Sequence, residues 1–365
     1  MRWRLADDEA DEESTLFRVG DVVGPDQSTG RMTDLTFLPV IARRILNEVA
    51  PSRAMPHRWT INAYRGCSHA CTYCFARPTH EYLGLSPGED FDRKIVVKIN
   101  AVERLRIELA DPRWRREHVA MGTNTDPYQR AEGKYRLTRG IIEALIDYRT
   151  PFSILTKSGL VTRDLDLLTE ANESLDISVT FSIATLDEAV WRVSEPGTPH
   201  PRRRLDAMQA MADAGIRTGA LMAPILPGLS DSAAQLTETA TAILHAGGQI
   251  RGVLPLYLKG ATRGVFLSWL QTQNPELHQR YLTRYGRRTE LGAEYRQWVR
   301  AVVDEAIRQA GRRPNNASAA SHGSVESAGN ETSAPNAAPG RDRASPPGTR
   351  RANASTGPTS SESGR

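Results

Sequence analysis

The chain has 365 residues and a formal net charge of +4, a length that suits one large α/β domain. Its N-terminal sequence has no apolar run of signal-peptide length, and no later stretch reaches the roughly 18 apolar residues that a membrane span needs. These features exclude a secreted disulfide scaffold and an integral membrane protein, so we predict a soluble cytoplasmic protein.

The positive charge is concentrated at the C-terminus. Residues 311–365 contain seven arginines and four acidic residues, which accounts for three of the four net charges. The rest of the chain is close to neutral, so the basic charge gives little support for nucleic-acid binding. This segment consists almost entirely of small and polar residues and cannot bury enough apolar surface to offset its ordering entropy. We predict a disordered low-complexity tail over residues 311–365.

The predicted elements begin after an acidic and polar arm, residues 1–55, which we expect to be partly disordered. Short β-branched runs then alternate with amphipathic helical patterns. The predicted strands are WTINAY (59–64), HVAMG (118–122), FSILT (152–156), DISVTFSI (176–183), TGALMAPI (218–225) and GVLPLYL (252–258). The predicted helices between strands cover residues 136–149, 164–172, 201–215 and 233–247.

Alternation of strands and helices indicates parallel strands joined by crossover helices. Six such units fit either an open doubly wound sheet or a partial barrel. Polar residues follow several predicted strands, among them Thr125, Lys157 and Ser182. Each alone is an ordinary start of a βα loop, but in β/α barrels the working groups converge from several strand ends. We predict a partial (β/α)6 barrel over residues 56–260, followed by a C-terminal helical segment over residues 261–310.

All three cysteines lie in the segment RGCSHACTYCFAR, as Cys67, Cys71 and Cys74. They cannot form a paired disulfide framework, and a tight cluster in a reducing compartment favours metal binding or catalysis. Thiolates select zinc, copper(I) or iron–sulfur clusters. A closed zinc site needs a fourth ligand, for which His69 and His80 are nearby candidates. We favour a [4Fe–4S] cluster, because three thiolates leave one iron open for a substrate or cofactor.

The Cys-x3-Cys-x-aromatic-Cys spacing, with Tyr73 before the third cysteine, resembles the signature of the radical S-adenosylmethionine (SAM) superfamily. Further segments resemble the strand-end motifs of its spore photoproduct lyase-like branch. They are MGTNTDPYQRAE, LTKSGLVTRDLDLL, TFSIATLDEAVWRVSEPGTPHPRRRLDAM and APILPGLSD. Together with the cysteines, these motifs span residues 57–258.

The resemblance implies that Cys67, Cys71 and Cys74 bind a [4Fe–4S] cluster, whose open iron binds S-adenosylmethionine. The implied cofactor contacts are Thr125 near the amino group, Lys157 at the carboxylate, Ser182 near the ribose, and Tyr73, Ala223 and Ile225 around the adenine. The Gly-Gly-Glu motif of the superfamily is absent, and residues 123–125 replace it. The resemblance to the photoproduct lyase branch includes this departure.

The implied reaction is reductive. One electron from a donor such as flavodoxin or ferredoxin enters the cluster, and S-adenosylmethionine is cleaved to methionine and a 5′-deoxyadenosyl radical, which abstracts hydrogen from a substrate. We assign no catalytic residue beyond the cluster, and the sequence does not identify the substrate.

Two interpretations from other functional classes stay open. One is a non-catalytic iron–sulfur or zinc binding module. The other is nucleic-acid binding, for which the arginine runs at 112–116 and 202–204 give weak support, because such runs are usually solvated helix faces. The aromatic residues of the C-terminal helical segment are predicted to pack between helices rather than to stack on bases.

Position 123 argues against the repair activity for which the branch is named. In those enzymes a cysteine at the end of the second strand donates hydrogen to the product radical, and Thr123 occupies that position here. An O–H bond is much stronger than an S–H bond, so threonine cannot readily replace the thiol. We predict that the protein does not perform efficient spore photoproduct repair.

Overall fold

The strands divide between two sheets in the computed structural model, which describes residues 26–27, 34–50 and 57–312. They are β1 (Asp26–Gln27), β2 (Thr36–Val40), β3 (Leu46–Glu48), β4 (Trp59–Ile61), β5 (Tyr64–Arg65), β6 (Lys94–Lys98), β7 (Val119–Met121), β8 (Phe152–Thr156), β9 (Ile177–Ser182), β10 (Thr218–Ile225) and β11 (Gln249–Pro255). All described residues belong to one compact unit.

Helices connect the strands and continue beyond the last of them. They are α1 (Glu89–Arg93), α2 (Ala101–Leu109), α3 (Glu132–Tyr135), α4 (Leu137–Asp147), α5 (Leu165–Ser174), α6 (Glu188–Ser194), α7 (Pro201–Asp213), α8 (Ala233–His245), α9 (Ala261–Gln273), α10 (Pro275–Tyr285) and α11 (Ala293–Arg312). Two 3-10 helices, Arg77–Leu83 and Gly159–Asp164, follow β5 and β8.

The larger sheet has the strand order β11-β10-β9-β8-β7-β4-β3. The pairs from β4 to β11 are parallel, and β3 is an antiparallel edge strand. The parallel strands follow chain order without the reversal that defines a doubly wound sheet. Because these six strands are parallel, their carboxyl ends lie along one edge of the sheet. The predicted α/β fold with a partial (β/α)6 barrel is confirmed.

The predicted strands agree closely with the larger sheet, except at its first and last parallel strands. β8 and β10 have the predicted bounds, whereas β11 covers Gln249–Pro255 instead of residues 252–258. Leu256 and Leu258 follow the strand and are buried in the apolar cluster beneath the C-terminal helices. The apolar run therefore continues past the strand, because burial in a loop and burial in a strand require the same residue types.

A second sheet, of order β1-β2-β6-β5, was not predicted from the sequence. Residues 34–50, which we assigned to the N-terminal arm, supply β2 to this sheet and β3 to the larger one. The predicted first strand, residues 59–64, is split between the sheets, because β4 pairs with β7 and β5 pairs with β6. The chain thus changes sheets directly before the cysteines.

The C-terminal helical segment packs on the carboxyl end of the barrel. Tyr281 and Tyr285 are buried, and their hydroxyls donate to the carbonyls of Pro227 (2.8 Å) and Leu256 (3.0 Å). The predicted packing role is confirmed for these two tyrosines. α11 ends at Arg312, two residues beyond the predicted end of the segment, and the tail prediction for residues 313–365 lies outside the described residues. Within the described part, no helix combines the length and apolar character needed to cross a membrane.

Candidate active site at the cysteine loop

The cysteine loop, residues 66–76, follows β5 and is held by hydrogen bonds on both sides. Gly66 has a φ of +84°, and a Cβ there would lie 2.8 Å from the His80 ring, so the turn requires glycine. Cys67 N–H donates to the Phe91 carbonyl (2.9 Å). Gln129 accepts from Ser68 N–H (3.0 Å) and donates to the Gly66 carbonyl (3.1 Å). These bonds fix the backbone at the first cysteine.

The three thiols lie in a buried environment. Cys67 and Cys71 are buried and Cys74 is partly buried. Burial raises the pKa of all three thiols, and the charges of Cys71 and Cys74 raise the pKa of Cys67 further. The Lys157 charge opposes this rise in pKa at Cys71 and Cys74 but does not cancel it. Burial thus disfavours the thiolate form of all three, and a bound cation would stabilise it.

The two histidines considered as a fourth zinc ligand make other contacts. His69 Nδ1 lies 3.4 Å from Asp126 Oδ2, and His80 Nε2 lies 3.0 Å from the Lys94 carbonyl oxygen. In residues 26–27, 34–50 and 57–312, no group of three or more His, Cys, Asp or Glu side chains is arranged to hold a single metal ion. Thiolates that each bind a different iron need not converge on one point. The donor set therefore fits a [4Fe–4S] cluster better than a closed zinc site.

Arg77 fixes the middle of the cysteine loop, and the sequence analysis missed this residue. Its buried guanidinium donates to the Cys71 carbonyl from Nε (3.2 Å) and Nη2 (2.8 Å). Nη1 donates to the carbonyls of Pro87 and Gly88, both at 3.0 Å, and Nη2 donates to Asp92. Burial raises the pKa of Asp92 to about 6, although Arg77 opposes the shift. The guanidinium thus ties the loop to the segment before β6.

Four of the six predicted cofactor-binding residues form one contact group. The Lys157 ammonium donates to Ser182 Oγ (2.7 Å), and Ser182 Oγ donates to the Ala223 carbonyl (3.0 Å). The same ammonium lies 5.5 Å from the centre of the Tyr73 ring. This group joins the carboxyl ends of β8, β9 and β10 to the cysteine loop.

The other two predicted residues lie outside this contact group. Thr125 is buried, and its hydroxyl donates to the Tyr64 carbonyl (3.1 Å). Ile225 is fully buried in the main core, and its carbonyl accepts from Leu256 N–H (3.0 Å). Their contact with a cofactor stays a prediction.

A buried ion-pair network completes the site, and it was not predicted. Glu195 Oε1 lies 3.1 Å from Lys157 Nζ, and the carboxylate also pairs with Arg204 and accepts from the Tyr73 hydroxyl. Burial alone raises the pKa of Glu195, but Arg204 and Lys157 outweigh it and hold that pKa well below its usual range. The only sequence signal for Glu195 and Arg204 was their position in the motif TFSIATLDEAVWRVSEPGTPHPRRRLDAM. They lie on either side of the turn that leads into α7.

Asp126 connects the end of β8 with the cysteine loop. Its carboxylate accepts from Lys157 N–H (2.6 Å) and Thr156 Oγ1 (2.7 Å), and it faces His69. Burial raises the pKa of Asp126, whereas His69 and these hydrogen bonds lower it, and the net shift is downward. An ionised carboxylate with this many donors is a structural anchor for the backbone at Lys157.

Known proteins are similar to this chain in sequence and in fold. The sequence model of the radical SAM superfamily matches residues 61–240. An uncharacterized protein of Mycobacterium tuberculosis is 49% identical over 273 residues, which cover 75% of this chain and 80% of that protein. The chain belongs to the radical SAM superfamily. The family predicted from the cysteine spacing is thereby confirmed, and this family indicates an enzyme.

Two more distant similarities cover over half of the chain. An uncharacterized protein of Methanocaldococcus jannaschii is 29% identical over 202 residues, 55% of this chain and 73% of that protein. The structure of a spore photoproduct lyase variant with bound AdoMet and dinucleoside spore photoproduct superposes with a TM-score of 0.55. It is 18% identical and covers 80% of this chain and 85% of that one. At this identity the likeness shows a shared fold.

Proposed function

We propose that this radical SAM protein binds a [4Fe–4S] cluster through Cys67, Cys71 and Cys74 and reductively cleaves S-adenosylmethionine. The observation that carries the proposal is a buried loop with three thiols, in contact with the lysine at the end of β8. When bound, the cluster supplies one electron for cleavage to methionine and a 5′-deoxyadenosyl radical, which takes hydrogen from a substrate.

The residues of the chain bind and orient the cofactor in this proposal. Lys157 supplies a partly buried ammonium group for the methionyl carboxylate, and Ser182 holds that ammonium at 2.7 Å. Tyr73 supplies an apolar wall to the adenine. Phe266 and Leu270 of α9 belong to the same buried apolar cluster as Cys71 and so shield that thiol from water.

The deciding experiment is detection of 5′-deoxyadenosine. We expect the anaerobically reconstituted protein to form it slowly from S-adenosylmethionine under dithionite, without an added substrate. Chromatography of the quenched reaction measures the product, and protein without reductant is the control. An intact cluster that yields no 5′-deoxyadenosine would contradict the proposal and favour a non-catalytic iron–sulfur module. Stoichiometric zinc in place of iron would favour the zinc module.

The proposed reaction requires partners that the chain itself does not supply. The electron comes from outside the chain, and we propose a low-potential donor such as flavodoxin or ferredoxin in the cytoplasm. The substrate is left open, with a nucleic acid as one candidate class.

A separate expectation concerns the repair of spore photoproduct. The partly buried Thr123 follows β7 at the position where repair requires a thiol, and the three cysteines of the chain are assigned to the cluster. We expect no clean multiple-turnover repair of an oligonucleotide that contains spore photoproduct. The assay supplies that oligonucleotide, S-adenosylmethionine and dithionite, and quantifies the repaired thymines.

The matched variant is Thr123→Cys, which restores a thiol at this position alone. Multiple-turnover repair by the unchanged protein would show that the missing thiol does not limit the reaction. Spore photoproduct lyase is the positive control for the oligonucleotide.

A further inference from the structure

Glu195 is a buried carboxylate that joins several elements of the site. Its Oε1 lies 3.1 Å from Lys157 Nζ and accepts from the Tyr73 hydroxyl, whereas Oε2 accepts from Arg204 and from Thr198 Oγ1 (3.2 Å). Arg204 also donates to the Ser182 carbonyl (2.9 Å). Glu195 therefore links the ends of β8 and β9, the cysteine loop and α7.

The segment that carries Glu195 is fitted against the cysteine loop. Thr72 N–H donates to the Ser194 carbonyl, and Gly197 N–H donates to the His69 carbonyl, both at 3.0 Å. A Cβ on Gly197 would lie 2.1 Å from the Ser68 carbonyl oxygen, so only glycine allows this approach. The position of Glu195 is thus fixed relative to the cysteines.

The hydrogen bonds of Lys157 leave room for one more acceptor. An ammonium group has three N–H donors, and within the described part of the chain its acceptors are Ser182 Oγ (2.7 Å) and Glu195 Oε1 (3.1 Å). The Lys157 side chain is 14% exposed, so the third donor is not sealed in the core. Two cations, Lys157 and Arg204, share the single carboxylate of Glu195, which favours an additional anion at the ammonium.

We infer that Glu195 is a positioning residue for S-adenosylmethionine, an inference that rests on the proposed function. Glu195 and Ser182 orient two hydrogens of the Lys157 ammonium, and the third is left for the methionyl carboxylate. Arg204 holds Glu195 in its charged form and so keeps its acceptor atoms available. Glu195 acts through Lys157 and does not itself touch the reacting atoms.

The test is Glu195→Gln in the anaerobically reconstituted full-length protein. The amide keeps the length of the side chain but replaces one acceptor with a donor, which turns either Lys157 or Arg204 away. We expect the Kd for S-adenosylmethionine, measured by equilibrium dialysis before reduction, to rise roughly tenfold or more. Iron content should be unchanged. The matched control is Glu170→Gln, at an exposed position on α5, which should leave both quantities unchanged.

A double-mutant cycle separates positioning from a general structural role. In a Lys157→Ala background, Glu195→Gln should cause no further loss of affinity, because the residue acts through that ammonium. Additive losses would overturn the inference, and so would a Kd within about twofold of the unchanged protein. Loss of iron in Glu195→Gln would assign the residue to the cysteine loop and would overturn it too.

A second variant covers the case in which Glu195→Gln does not fold. Glu195→Asp keeps the charge beside Arg204 but shortens the reach towards Lys157, so the Kd should again rise by roughly tenfold, and an unchanged Kd would overturn the inference. Since binding is measured without reductant, a failure of S-adenosylmethionine cleavage leaves this test intact. The two proposals can therefore fail separately.

Discussion

Cys71→Ala is expected to lose nearly all iron after anaerobic reconstitution and to form no 5′-deoxyadenosine above background. Two remaining thiolates cannot hold three irons in place, so the loss should be close to complete rather than proportional. Iron and sulfide assays, together with the charge-transfer absorption of the cluster, measure the effect.

The fold should survive this substitution, which separates loss of the cluster from unfolding. The Cys71 thiol is small, and the hydrogen bond that it makes, to the His69 carbonyl, is long at 4.0 Å. Arg77 binds the backbone carbonyl of residue 71, which alanine retains. The far-ultraviolet circular dichroism should therefore match that of the metal-free unchanged protein. An iron content in Cys71→Ala equal to that of the unchanged protein would contradict the ligand assignment.

Lys157→Ala is expected to weaken S-adenosylmethionine binding by about 10- to 100-fold, the range for loss of a charged hydrogen bond to a ligand. Iron content should be retained, because the lysine is not a cluster ligand in the proposal. The Kd from equilibrium dialysis and the KM for 5′-deoxyadenosine formation should rise together. Lys259→Ala, at an exposed position after β11, is the matched control.

A modest change in stability should accompany this loss of affinity. Glu195 keeps its pair with the buried Arg204 when Lys157 is removed, so no buried carboxylate is left without a cation. An unchanged Kd together with an unchanged KM would show that the cofactor carboxylate does not bind at Lys157.

The larger sheet was predictable because its strands carry their own signal. FSILT and TGALMAPI are mainly apolar runs, and the structure places β8 and β10 on those bounds. The second sheet lacked such a signal. β2 and β5 are short strands that both pair with β6. The paired residues lie 58 positions apart for β2 and 31 to 33 positions apart for β5, across the cysteine loop, and pairing at such distances is set by tertiary packing.

The site was predictable where residue type and spacing define the chemistry. The cysteine spacing predicts a cluster. The resemblance to the spore photoproduct lyase-like branch predicts Lys157 and Ser182 as cofactor contacts, and the structure brings these two side chains into contact. Glu195, Arg204 and Arg77 were missed because their roles depend on partners in other elements. A charged residue in a helical pattern is normally solvated, and the sequence does not show which few arginines turn inward to bind carbonyls and carboxylates.

The packing of α9 on the cysteine loop has a consequence for how iron reaches the cysteines during synthesis of the chain. The Thr262 hydroxyl at the start of α9 donates to the Cys74 carbonyl (2.9 Å), so it closes over a loop that was synthesised 188 residues earlier. A nascent chain that has not yet reached α9 lacks this hydrogen bond and the α9 side chains that share an apolar cluster with Cys71. Domains form progressively from the N-terminus during synthesis. Iron therefore meets a less covered Cys71 before α9 is synthesised than when the finished protein is reconstituted.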